Sequence, residues 1–145
     1  METEIQTCKP SGNPEKKRAG IGMPATLYLQ DFGDLVFQVF GEIPYHVGSS
    51  LMGETWRDVD VRVMLDPEKY AAMELGDPKD PHQNARWCAY VKAFSLLGRQ
   101  MTGLPIDFQI QERDHANADF GQREHHRSAL VVGVMRRQKK DEKHG

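Results

Sequence analysis

The chain of 145 residues contains two cysteines, Cys8 and Cys88, too few to build a disulfide framework. It has no apolar run long enough to cross a bilayer, and its N-terminus carries no hydrophobic leader core, so a cytoplasmic protein without a membrane partner is expected. Six histidines are scattered without metal-ligand spacing. The adjacent pair His125-His126 does not converge its ring nitrogens, so the polar stretch 115–127 reads as a solvated loop and not as a zinc site. Charge of one sign is also lacking. A formal net charge of -2 makes the whole molecule a poor generic binder of polyanions, and any polynucleotide contact must be local. There is no internal repeat.

What is present fits one domain. A chain of this length buries roughly two-thirds of its unfolded surface on folding, and 39% hydrophobic with 28% charged residues is an ordinary balance. The mean hydropathy of -0.63 points to polar ends. Residues 1–22, with Pro10, Pro14 and the run Lys16-Lys17-Arg18, have almost nothing apolar to bury and read as a disordered tail. Residues 136–145 read as a charged tail, basic on balance. Residues 23–135 then hold the single domain.

Within it, Leu27, Leu29, Phe32, Leu35, Val36, Val39 and Phe40 recur at helical spacing as far as Gly41. Trp87, Val91, Phe94, Leu97 and Met101 mark a second amphipathic helix over residues 83–101, which also carries Arg86, Lys92 and Arg99. Trp87 and Phe94 fall on its apolar stripe and read as core. Asp66-Pro67 ends a strand and opens a short helix over residues 67–73. The apolar run in residues 128–135 fits a last strand or a helical turn.

The chemistry sits between these helices. From Asp58 to Leu65, Val59, Val61, Val63 and Leu65 alternate with Asp58, Asp60, Arg62 and Met64, the period of a half-buried strand. Residues two apart on a strand lie about 6.5 Å apart and point the same way, so Asp58 and Asp60 converge on one volume. Carboxylates about 4 Å apart repel by about 4 kcal/mol at an effective dielectric near 20, which calls for a cation; hard oxygen donors favour Mg²⁺ or Mn²⁺. Upstream, the extended segment from Pro44 through His46 ends at Gly48, which permits a tight turn. Ser49 and Ser50 follow, either as an anion-binding turn opening a short helix or as a plain turn. Arg62 shares the carboxylate face, placed to neutralise Asp60 or to grip a phosphate oxygen. Taken alone, Asp-Val-Asp-Val is most often a strand with a wet face.

Gly48-Ser49 followed by Asp58-Val59-Asp60-Val61 resembles the signature of the DNA polymerase β-type nucleotidyltransferase superfamily, in which Gly-Ser precedes a hydrophobic-flanked Asp-x-Asp. That family places a third carboxylate on a later strand, and Ile106-Asp107-Phe108 in the segment 105–110 matches that description. The gap between Gly-Ser and the first Asp is shorter here than in most minimal members. The resemblance implies transfer of a nucleoside monophosphate from an NTP, ATP included, to a hydroxyl by a two-metal mechanism. Asp58, Asp60 and Asp107 would hold Mg²⁺ or Mn²⁺, and Gly48, Ser49, Ser50 and Arg62 would hold phosphates.

The acceptor is open: RNA, tRNA, a protein hydroxyl or a small molecule. The stretch after Asp107 is short for the helical acceptor domain of many members, leaving a partner or second subunit to present the acceptor. Two rivals stand beside this reading, a catalytically inactive antitoxin-like interaction module on the same fold, and a metal-dependent nuclease. The expected fold is α+β in two layers, a small mixed β-sheet with helices packed on one face.

Overall fold

A computed structural model describes residues 21–52, 57–120 and 127–130. The expected N-terminal tail up to residue 20, the Lys16-Lys17-Arg18 run, the His125-His126 pair, residues 131–135 and the C-terminal tail lie outside the described residues.

The first helix, α1, runs Ala25–Phe40 and buries Leu29, Phe32, Gly33, Val36 and Phe40. It stops where Gly41 takes the left-handed conformation, φ 73°, and donates its N–H to Phe37 O, a conformation glycine reaches without a side-chain penalty. Strand β1 follows at Pro44–Val47, then the short helix α2 at Ser49–Met52 and strand β2 at Val59–Leu65. Helix α3, Pro67–Ala72, begins as the sequence predicts, with Pro67 in its first turn and the Asp66 carboxylate accepting from Lys69 N at 2.7 Å. After a 3-10 turn at Pro81–Gln83, helix α4 spans Ala85–Thr102, with the Asn84 side chain capping Trp87 N at 2.8 Å. Strand β3 is Ile106–Glu112, helix α5 is Arg113–Phe120, and the two-residue strand β4 is Ser128–Ala129.

The strands form one mixed sheet in the order β3-β2-β1-β4. β1 runs antiparallel to both β2 and β4, and β2 runs parallel to β3. A parallel pair needs a long crossover, and the segment containing α3 and α4 supplies it. The alternation in β2 and β3 then sorts the two faces. Val59, Val61 and Val63 pair with Ile106, Phe108 and Ile110, and all six are fully or almost fully buried with residues of α1 and α4 in one core. Around Phe108 the rings of Phe32, Phe40 and Phe94 stand with centroids 5.3–6.2 Å away. The architecture is therefore α+β, with α1 and α4 packed on one face of a small mixed sheet.

Two expectations need correction. Residues 113–120, expected to be loop from His115 onward, form α5 instead, with Ala116 buried. Ala116 is the one buried residue among those of α5 whose burial is described, too sparse a pattern to show helical periodicity. The two long stripes are also narrower than the spacing suggests. Leu27, Val39 and Leu97 are exposed, whereas the small residues Gly33, Ser95 and Gly98 face inward. A Cβ at Gly98 would stand 3.0 Å from both Ile106 and Phe32, so the close approach of α4 to the sheet and to α1 depends on its having none.

Candidate functional site

The second face of the sheet carries the polar half of the same alternation. Asp60 pairs in register with Asp107, and Arg62 with Gln109. The two predicted carboxylates on β2 and β3 are thus side by side.

Burial pushes the Asp60 carboxyl above the usual carboxylate range; the Arg62 guanidinium opposes this, while the charges of Asp107 and Asp58 add to it. Arg62 stands over both acids, with Nη2 3.6 Å from Asp60 Oδ1 and 3.7 Å from Asp107 Oδ2. Its Nη1 donates to Asp107 O at 2.8 Å and to Val61 O at 3.2 Å. These backbone bonds hold the guanidinium flat against the strands.

Gly48 closes the corner from above. It has φ 85°, and a Cβ built there would run into the Asp60 carboxylate. The turn therefore requires glycine twice, for its dihedral and for the approach. The strand register explains the proximity, because Val47 pairs with Asp60 and Gly48 is the next residue.

The turn is braced by a pair that sequence reasoning missed. His46 and Ser50 are both buried, and a 2.7 Å hydrogen bond joins His46 Nε2 to Ser50 Oγ, the hydroxyl or the ring N–H donating according to the tautomer. Burial lowers the His46 pKa to about 4, so the ring is neutral near pH 7. The bond spans the Gly48 turn and ties α2 to β1. The available signal was positional, since His46 alternates with Tyr45 and Val47 and so shares the core-facing register of Val61.

Of the predicted site residues, Gly48, Asp60, Arg62 and Asp107 come together. Asp58 lies just outside β2 and is exposed, close enough to act on Asp60 by its charge. Ser49 opens α2, but its side chain is outside the described set. The Ser50 hydroxyl is turned inward to His46, leaving that residue's backbone as its share of the turn. Arg86 and Arg99 are engaged elsewhere, with Glu74 at 2.8 Å and Ile106 O at 3.0 Å. Among the described residues, no three or more His, Cys, Asp or Glu side chains are gathered as a metal-holding group. The gathered donors are the Asp60 and Asp107 carboxylates.

No protein-family model, curated protein or solved structure matches the chain.

Proposed function

We propose that the Gly48, Asp60 and Asp107 corner binds the triphosphate of a nucleotide together with Mg²⁺, and that the chain transfers its nucleoside monophosphate to a hydroxyl acceptor, the acceptor oxygen bonding to the α-phosphorus as the bond to the β-phosphate breaks and pyrophosphate leaves. The observation that carries this is the in-register Asp60–Asp107 pair beneath a glycine turn. The order helix, strand, glycine turn, short helix, carboxylate strand also fits the nucleotidyltransferase resemblance.

The donors suit the ion. Mg²⁺ is usually held by one or two carboxylates plus substrate phosphates and water, and Asp60 with Asp107 provides that share, with Asp58 at the open edge. The bound ion would neutralise charge on the phosphates. The protein's own part is positioning. The turn at Gly48 lets backbone approach closely, His46 and Ser50 fix that turn, and Arg62 brings a forked cation to the rim. The Asp107 carboxylate would accept the proton of an acceptor hydroxyl.

A second reading has its own observation. Arg62 already presents a cation to both carboxylates, which suits a module that binds nucleotide without turnover. Thermal unfolding with a non-hydrolysable NTP and Mg²⁺ tests the shared part of both readings. At a hundred times its dissociation constant a ligand stabilises by about 2.7 kcal/mol, a rise of several degrees in Tm. The wild type should show it and Asp58→Ala/Asp60→Ala should not. No Mg²⁺-dependent rise in the wild type would sink the nucleotide site. Given a rise, incorporation of label from an α-labelled NTP separates transferase from silent binder.

A further inference from the structure

Beside the acidic corner, on the same face of the sheet, lies a hollow of about 320 Å³ that the nucleotide reading leaves unused. That volume is at the small end of ligand sites. It is lined by Ile43, Tyr45 and Met64 together with Glu42, Arg113, Asn117 and Arg127. Tyr45 is paired directly opposite Arg62, which lies two residues from Asp60 on β2, so Tyr45 is a diagonal neighbour of Asp60 at about 7–8 Å across the two strands. A ligand seated there can reach the carboxylates.

The rim has donors to offer. Arg113 engages Glu42 through Nη2 alone, at 2.6 and 3.2 Å, which leaves Nη1 and Nε for a second, forked partner. Glu42 is shared further, with Lys69 Nζ at 3.8 Å. Arg127 is already engaged at the rim, Nη1 donating to Asn117 Oδ1 at 3.3 Å and to Met64 Sδ at 3.5 Å. The remaining Arg113 donors beside a phenol ring and a thioether match a phosphate attached to a flat, ring-bearing body. The phosphate takes the fork and the ring lies on Tyr45 and Met64.

We infer that this hollow seats the hydroxyl acceptor, and that the acceptor is a phosphorylated nucleotide unit, either a free mononucleotide or the end of an RNA strand. Its role as acceptor rests on the transferase reading of the acidic corner; its binding does not. The test is equilibrium titration of the full chain, in EDTA and without triphosphate, with AMP and with a short 5′-phosphorylated oligoribonucleotide. Adenosine and the unphosphorylated oligonucleotide serve as comparators.

At least one phosphorylated probe should bind saturably, and loss of its phosphate or Arg113→Ala should weaken binding at least tenfold. Arg113→Lys, which keeps the charge beside Glu42 but loses the fork, should weaken it too, and covers the case in which the alanine variant fails to fold. Asp60→Asn should leave this binding in place. Binding of AMP alone assigns a free nucleotide, of the oligonucleotide alone a strand end, and of both a shared nucleotide unit. No saturable binding of either, or binding indifferent to Arg113, overturns the inference. AMP binding retained in a protein with no Mg²⁺–NTP response would sink the acidic-corner reading while leaving the hollow as a nucleotide site.

Discussion

His46 shows how one residue makes an acidic corner possible at a distance from it. Buried and neutral, it holds Ser50 at 2.7 Å and so fixes the turn that lays Gly48 against Asp60. Its pKa in the fold, about 4, lies below the 6.5 of a free histidine. Between those values the unfolded chain binds a proton that the folded chain refuses. The stability linked to His46 is therefore complete above about pH 6.5 and is lost as pH falls toward 4, by at most about 1.4 kcal/mol per pH unit. Denaturant unfolding across that window should show the slope in the wild type and a flatter one in His46→Gln. Equal slopes would mean that His46 is not the buried neutral group described. The strand alternation puts His46 on one face, but its burial comes from β2 and the helices and not from its neighbours in the chain, so the sequence alone does not give it.

At the scale of elements, α4 does more than cover the core. Among the described strands β3 is at one edge of the sheet, and an edge exposes unpaired backbone groups. Three α4 side chains meet them: Arg99 Nε donates to Ile106 O at 3.0 Å, Phe108 N donates to Ser95 Oγ at 3.0 Å, and Trp87 Nε1 donates to Ile110 O at 2.9 Å. The alternate residues of one strand are thus sealed by one helix. Ser95→Ala should cost about 1–3 kcal/mol by leaving the Phe108 N–H buried without a partner, measured as a lower denaturation midpoint; a change under 0.5 kcal/mol, of the size usual for surface sites, would show that water reaches that edge.

The same helix marks how far periodicity can be read. Trp87 as core was legible, because an indole on an apolar stripe is more often packed than exposed. The inward turn of Ser95 and Gly98 was not legible, because small and polar residues carry no hydrophobic signal. Arg99, legible only as a cation, turned out to be a strand-edge donor.

For the molecule as a whole, the sequence pattern located both strands that carry the paired acids, since alternating Val and Asp leaves one possible inward face. It also found α1 and the crossover helices, and left the Ser49 segment as either a short helix or a plain turn, of which the structure has the helix. It did not contain the register that sets Asp60 beside Asp107, which is a relation between strands 47 residues apart in number and is fixed by the packing of α4. Nor did it show that Arg62 would span both carboxylates, because that needs the same register. The hollow beside them depends on α5, whose helical form the sequence barely signals.

The acidic corner is proposed to take a divalent cation together with a nucleotide. Electron paramagnetic resonance of Mn²⁺ titrated into the full chain, with and without a non-hydrolysable NTP, reads the ion itself. Nucleotide should enhance Mn²⁺ binding to the wild type, and Asp60→Asn/Asp107→Asn should abolish the enhancement while the variant stays folded. Mn²⁺ binding that ignores the nucleotide, or that survives unchanged in the folded double variant, would contradict that proposal.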